Sequence, residues 1–478
     1  MERILTASEM KKADDYTINI LGIPEEELII AAGKAVAEEI KKHKRGGRVL
    51  VVCGKGNNGA DGRVIAEELK KIHGFSVFLY DVALPEPELF SAEYDIIADC
   101  LLGTGLNGAV RGECERLINK MNAMSGYKVA CDIPSGLNAD TGRPQKVSFK
   151  ADLTVAVQEY KRGHFFGDGI DYCGKTVAKD IGISIWGDFP YKLTDEDAAA
   201  YFKKRKRNVN KGDFSKAAVI GGSKDFYGAP VLSLSSLMTM IGGAGYGYLY
   251  APESYQNLYK GFNPECIVKG FSDDGANMTF DETLAKNLND CKAVAFGMGL
   301  GVTKGVYDEL CDILSVYKGT LIIDADGINA LSLYGKDVLK SAACKVIITP
   351  HMGEFSRLTG IIPVDKLIED PIKYAVALSK ELNVTVVLKD AVSVITDGER
   401  VCVNVSGSPA LAKAGSGDVL SGLISGVAVR EEPFEAASVG AYVLGRAGEL
   451  AAKARGDYSV TASMLPEFIG RFIAKLEE

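Results

Sequence analysis

Arg48-Val49-Leu50-Val51-Val52-Cys53-Gly54-Lys55-Gly56-Asn57-Asn58-Gly59-Ala60-Asp61-Gly62 decides how this chain folds. A short β-branched run ends in a glycine-rich turn, and a helical pattern from Val64 to Ile72 follows. Strand, glycine turn and helix in that order open a βαβ unit of the kind that binds nucleotides. The glycine spacing does not fit G-x-G-x-x-G with an acidic residue on the next strand, so ordinary dinucleotide binding is not the reading. Two side-chain amides and a carboxylate within five residues exceed what a turn needs, although Asn and Asp favour turns unaided.

Working outward, helical patterns surround that unit on its N-terminal side. Ser8-Glu9-Met10 opens one, Gly22-Ile23-Pro24 breaks it, and Leu28 to Ile40 forms a second. On the C-terminal side, Tyr94–Cys100, Lys128–Asp132 and Leu153–Val157 read as strands. Asp99 and Asp132 end two of them, and in a parallel sheet the carboxyl ends line one crevice. Asn58, Asp99 and Ser135 can meet there, and an oxygen-only set with one formal charge suits a monovalent cation better than zinc.

The second half repeats the alternation. Lys216–Ser223 is a strand and turn, and strands follow at 293–296, 320–324, 345–349 and 384–388, each separated by a helix-length pattern. Asp397-Gly398 between two apolar runs signals a hairpin, so part of this sheet is antiparallel. Polar loops follow the strands: Gly297–Gly301, Asp324–Asn329, Thr349–Phe355 and Lys389-Asp390. His351, one of four histidines, reads either as a satisfied strand-end residue or as a site residue among similar loops.

Ala414-Gly415-Ser416-Gly417-Asp418 then precedes apolar residues at helical spacing from Val419 to Val427. The glycines sit at a helix N-terminus, where unpaired amides and the dipole favour a phosphate. Asp418 would repel that phosphate. It reads either as a base that accepts a proton from a hydroxyl being activated, or as a first-turn carboxylate complementing the dipole.

Composition sets the outer limits. With 478 residues, 47% hydrophobic and 25% charged, the chain holds two or more globular domains. A net charge of −8 gives no support to nucleic-acid binding. The basic runs Lys41–Arg45 and Lys203–Arg207 read as a helix end and a solvated connection. Ten cysteines without a Cys-x-x-Cys read as reduced thiols, and no apolar run is long enough for a bilayer, so a cytoplasmic protein without membrane contact is expected. No Ser/His/Asp or paired Cys/His set is legible.

Asn57–Gly62, Gly103-Thr104-Gly105-Leu106 and Asp132-Ile133-Pro134-Ser135-Gly136, with Gly22–Pro24 and Ala32–Val36 before them, resemble the NAD(P)H-hydrate epimerase family. The resemblance implies a Rossmann-like three-layer α/β/α domain over 1–205. It implies substrate contacts from Asn57, Asn58, Gly59, Ala60, Asp61, Gly103, Thr104, Gly105, Leu106 and Asp132, with Asp132 and Lys161 catalytic. Potassium would be held by Asn58, Asp99 and Ser135. Ala60 departs from the family's usual glycine and is expected to be tolerated if its φ is negative.

Lys211-Gly212, Gly221–Ser223, Gly228-Ala229, Asp324–Gly327, Pro350-His351-x-Gly353-Glu354 and Ala414–Asp418 resemble the NAD(P)H-hydrate dehydratase branch of the ribokinase-like superfamily. A ribokinase-like α/β domain over 206–478 is implied. Asp418 would be the catalytic base, and Ala229, Gly299, His351 and Asp418 would touch substrate. Lys389, Asp390, Ala391, Val392, Gly415, Ser416 and Gly417 would hold ADP or ATP with Mg²⁺. Lys413 departs as a possible extra phosphate-binding cation. Together the halves imply repair of hydrated NADH and NADPH (NADHX and NADPHX), with a homo-oligomer expected. The alternatives are a small-molecule kinase with a regulatory N-terminal domain, and a first domain that only binds ligand.

Overall fold

The structure is a computed structural model that describes residues 1–106, 108–202, 204–239, 244–271, 280–360 and 362–477. The chain divides into two compact units, Glu2–Pro190 and Tyr191–Glu478 with Met1.

In the N-terminal unit the strands are β1 (Glu2–Leu5), β2 (Gly47–Cys53), β3 (Phe75–Asp81), β4 (Ile96–Cys100), β5 (Tyr127–Cys131), β6 (Leu153–Val157), β7 (Tyr160–Lys161) and β8 (Lys175–Lys179). Six of them form a parallel sheet in the order β3-β2-β4-β5-β6-β8, and β1 pairs with β7 in parallel. Val49, Val51 and Cys53 face the helices Glu25–His43 and Asn57–Lys70, while Leu50 and Val52 face the helix Gly112–Ala123. β2 is therefore apolar on both faces, as a strand inside a three-layer fold must be. The glycines of the turn are dictated by close approach: a Cβ on Gly54 would overlap the Leu101 carbonyl, and one on Gly59 would overlap the Gly54 carbonyl. Ala60 lies inside the helix Asn57–Lys70 and is not among the residues of positive φ, so its methyl is accommodated.

The C-terminal unit carries β9 (Tyr191–Lys192), β10 (Ser215–Gly221), β11 (Ala244–Pro252), β12 (Ile267–Phe271), β13 (Cys291–Met298), β14 (Thr320–Ile323), β15 (Lys345–Ile348), β16 (Thr385–Leu388), β17 (Ser393–Thr396) and β18 (Val401–Asn404). They run in the order β12-β11-β10-β13-β14-β15-β16-β17-β18-β9. β16, β17 and β18 pair antiparallel and the other contacts are parallel, with the Asp397-Gly398 turn joining β17 to β18. Ala293 and Ala295 of β13 face the side of the sheet covered by the helices Gly228–Thr239 and Ser416–Ala428. Phe296 points the other way, against Gly327 of the helix Asp326–Tyr334.

The unit boundary differs from the expected 205/206 division. Residues 191–202 belong to the C-terminal unit, and Leu193, Ala198 and Phe202 are buried in its core. A capping box between Thr194 and Asp197 starts the short helix Asp195–Ala199, and Asp195 accepts bonds from Tyr442 (2.7 Å), Arg446 and Lys475. The charged residue Asp195 thus makes packing contacts within this unit. Of the basic run, Lys204–Arg207 are exposed, and Lys203 lies outside the described residues.

Candidate active sites

A cleft of about 1340 Å³ opens at the carboxyl ends of the N-terminal sheet. Asn57, Asn58, Asp61, Gly103, Thr104, Gly105, Leu106 and Asp132 line it, as do Asp14 and Glu25 from the first two helices. Gly59 and Ala60 are in the first turn of the helix behind it. At its floor, Asn58 Nδ2 donates to the Leu102 carbonyl (2.8 Å), and the Leu102 amide donates to Ser135 Oγ (2.7 Å). Ser135 Oγ and its backbone N–H donate to the two Asp99 oxygens at 2.6 and 2.7 Å. Asn58, Asp99 and Ser135 therefore converge around one loop. Asn58 Oδ1 is buried with no hydrogen-bond partner, and burial pushes the Asp99 carboxyl up to about 6 despite its bonds from Ser135 and Leu101. A buried amide oxygen and a carboxylate without a cation fit a positive ion.

Lys161, almost wholly buried, bonds the Asp132 carboxylate and donates to the Val157 carbonyl (2.7 Å). Asp132 has a left-handed φ of 63°, which turns its carboxylate back so that it also accepts from the Val157 amide (3.0 Å). His164 holds the arrangement. Its Nδ1 accepts from the Lys161 amide (3.0 Å) and its Nε2 meets the Asp132 carbonyl (2.8 Å). Burial and the Lys161 charge lower His164 to about 4, so the ring is neutral and donates from Nε2. Burial, then the neighbouring Asp132, pushes Asp61 up to about 8.

The C-terminal unit builds a second Asp–Lys pair at strand ends. Asp324 follows β14 and is buried. Lys389 follows β16 and donates to Asp324 Oδ1 (2.8 Å), and Ser421 bonds Oδ2. Burial works to raise the Asp324 carboxyl, but the Lys389 ammonium and hydrogen bonds outweigh it and leave it below the usual range. Gly415 (φ 94°) caps the helix Ser416–Ala428, whose first turn carries Asp418. A Cβ on Gly417 would lie 3.3 Å from Lys389 Nζ, so the glycine turn and the pair share one site. Burial first, then Asp324, raises Asp418 to about 7 against the opposing pull of Lys389. Ser416 Oγ is buried without a partner at the same helix end.

The other expected residues take different places around this crevice. Gly299 (φ 71°) is packed against Phe226 and Ala229, which brings Gly299 and Ala229 together. His351 bridges to Lys389 and caps the helix Met352–Thr359, Nδ1 accepting from Gly353 (3.0 Å) while Glu354 accepts from the His351 amide (2.9 Å). Its Nε2 lies 3.6 Å from Glu354 Oε1 on an exposed ring. Asp390 and Ala391 are exposed after Lys389, while Val392 is buried. Lys413 donates to the Val460 carbonyl.

The family model described as NAD(P)H-hydrate dehydratase matches residues 217–471. The YjeF-related protein N-terminus matches 25–93 and 79–163. The bifunctional NAD(P)H-hydrate repair enzyme of Pyrobaculum aerophilum is 33% identical over 98% of this chain and 98% of its own. The chain belongs to the bifunctional NAD(P)H-hydrate repair enzymes. The Archaeoglobus fulgidus member is 31% identical over 96% of this chain and 97% of its own. The ADP/ATP-dependent NAD(P)H-hydrate dehydratase of Bacillus subtilis, co-crystallised with ATP and Mg²⁺, is 29% identical. It has a TM-score of 0.51 and covers 60% of this chain and 99% of its own. These findings favour the repair enzyme, a bifunctional epimerase and dehydratase, over a small-molecule kinase with a non-catalytic first domain. Among the described residues, no helix is long and apolar enough to cross a membrane.

Asp14 was not legible as a site residue. The sequence pattern turns Met10, Ala13 and Ile18 inward, and Asp14 adjoins that stripe. Its placement in the cleft depends on how the first helix packs over the sheet.

Proposed function

We propose that the unit Glu2–Pro190 interconverts the R and S epimers of NADHX and NADPHX, and that Tyr191–Glu478 dehydrates the S form using ADP or ATP. The observation that carries the second half is Asp418, a carboxyl raised to about 7 beside open helix-end amides and a buried Asp–Lys pair. Hydroxide is a poor leaving group, so dehydration needs the substrate hydroxyl phosphorylated and then lost as phosphate. Asp418 takes the hydroxyl proton as the phosphoryl group transfers, and phosphate departure with loss of a ring proton restores the dihydronicotinamide. The Gly415–Gly417 amides and the unpaired Ser416 hydroxyl face the phosphates, with Lys389 beside them. A magnesium ion on the nucleotide would neutralise phosphate charge there.

In the first unit, Asp132 and Lys161 meet the hydroxyl-bearing ring, and the Gly103–Leu106 loop and Asn57–Asp61 turn hold the nicotinamide. Asn58, Asp99 and Ser135 would hold potassium, which would supply the charge that buried Asp99 lacks. The test is to incubate mixed R- and S-NADHX with the full chain, Mg²⁺ and ADP or ATP, following the absorbance of regenerated NADH. Full conversion faster than spontaneous epimerisation supports both halves. Conversion that stops at the S fraction removes the first half, and a stable phosphorylated product removes the second.

A further inference from the structure

The first helix, Ala7–Asn19, starts at a capping box between Thr6 and Glu9 and presents Asp14 to the N-terminal cleft. Asp61 and Asp132 also line that cleft, and the buried Lys161 ammonium bonds Asp132 behind it. Two of the three Lys161 ammonium hydrogens go to Asp132 and Val157, which fixes it in place. Asp132 is tied by Lys161 and by the Val157 amide. Asp14 differs: it lines the same cleft, yet it takes no hydrogen bond from another described residue. The charged groups that reach it are Lys161 and Asp132 from the cleft floor, Asp15 on its own helix, Glu25 at the start of the next helix, and Asp61 opposite. Burial, opposed by Lys161, brings its carboxyl up to about 6, so it is ionised at neutral pH and close enough to titration to exchange a proton.

We infer that Asp14 is a further catalytic residue of epimerisation, the carboxylate that carries the substrate's hydroxyl proton. The inference rests on the epimerase reading of this cleft. Adding water across an enamine double bond leaves the hydroxyl on the carbon beside the ring nitrogen, a hemiaminal. Asp14 removes the hydroxyl proton, the C–N bond opens, the C–O bond becomes a carbonyl, and the bonding pair stays on nitrogen. The Asp14 carboxyl then returns the proton to that nitrogen. Rotation about the neighbouring C–C bond presents the other carbonyl face. The steps reverse: nitrogen attacks the carbonyl carbon, loses its proton to Asp14, and the new hydroxyl oxygen receives it. No oxidant, reductant or net proton is consumed. Lys161 and Asp132 meet the ring in this scheme and fix the field around the oxygen, while Asp14 carries the proton.

The test uses the full chain, so that dehydration of the S epimer reports an intact second unit in the same tube. R-to-S conversion is followed for wild type, Asp14→Asn and Asp14→Glu between pH 5 and 8 at saturating and limiting R epimer. The expected result is that Asp14→Asn lowers kcat for epimerisation about 10²–10⁴-fold and removes the limb that rises with pH through about 6. S-epimer dehydration stays at the wild-type rate. Asp14→Glu retains part of the rate on a displaced limb, and decides the matter if the Asn variant does not fold. Asp14→Asn within a few-fold of wild type, a loss confined to KM, or an Asp14→Glu limb and rate unchanged from wild type would each overturn the inference. If wild type itself leaves the R epimer at its spontaneous rate, the epimerase reading falls instead, and the inference with it.

Discussion

The two crevices are laid out alike and differ in what stands beside the shared parts. In each, an aspartate just past a parallel strand pairs with a lysine from another strand: Asp132 with Lys161, and Asp324 with Lys389. In each, a residue other than glycine at the strand end has a left-handed φ, Asp132 at 63° and Ala325 at 48°. In each, a glycine-rich turn opens a helix whose first turns carry a carboxyl raised mainly by burial, Asp61 to about 8 and Asp418 to about 7. The surroundings then diverge. The N-terminal turn faces Asp14 and Glu25, and Asn57 donates to Glu25 (2.7 Å), so its helix end looks onto negative charge. The C-terminal turn faces Lys389 and an unpaired Ser416 hydroxyl. Under the proposed function, one layout would serve proton movement where acid groups surround it, and phosphate where a cation and helix-end amides do.

The sharpest break of this comparison is Asp418→Asn. Dehydration of the S epimer should fall about 10²–10⁴-fold, the usual worth of a general base, while epimerisation and nucleotide binding stay near wild type. A base works when ionised, so wild-type dehydration at limiting substrate should rise with pH through about 7 and level off above it. The variant should lose that limb. Residual activity within a few-fold of wild type would mean that Asp418 only complements the helix dipole.

The next test asks whether the two Asp–Lys pairs are equally buried. Asp324 is only 2% exposed, and Lys389→Met would strand its charge, at about 3–5 kcal/mol. The Asp132 side chain keeps 15% exposure and can regain water, so Lys161→Met should cost less, on the order of 1–3 kcal/mol. Denaturant unfolding followed by hydrogen exchange, which reports each unit separately, compares them. Equal losses, or a larger one in the first unit, would remove the ranking.

Much of both crevices could be read before folding because it depends on local chemistry. The Arg48–Gly62 strand and turn, the Asp397-Gly398 hairpin and the oxygens ending β4 and β5 carry their own signals. What was not legible depended on distant packing. Lys413 finds the Val460 carbonyl 47 residues on, and no spacing shows it. The 191–202 segment fell in the expected first domain, since the burial of Leu193, Ala198 and Phe202 in the second core depends on tertiary packing. The Thr194-x-x-Asp197 capping box was the signal that could have found its helix. β11 was also missed, since its Gly245 and Gly247 weaken a strand pattern that Tyr246, Tyr248 and Leu249 otherwise support.

The smallest effect tests what a raised carboxyl means when it stands outside either crevice. Glu309, in the helix Lys304–Val316, is 2% exposed, and neither carboxyl oxygen has a hydrogen-bond partner. Burial raises it from 4.5 to about 8, helped by Asp312 and Asp281, with no contribution from the Asp324–Lys389 site. Its shift has the same first cause as those of Asp61 and Asp418, so burial alone does not mark a catalytic group; position in a crevice must be added. The sign of its effect follows from linkage. Below about 4.5 the carboxyl is protonated folded and unfolded, and stability is indifferent to it. Between about 4.5 and 8 only the unfolded chain gives up the proton, so the folded state loses stability as pH rises. Glu309→Gln, which cannot ionise, should match wild type near pH 4.5 and exceed it at pH 8, by on the order of 1–3 kcal/mol. Both activities should be unchanged. A gap that does not widen with pH would show that Glu309 finds a cation or water in solution, and a loss of dehydration would place it in the chemistry after all.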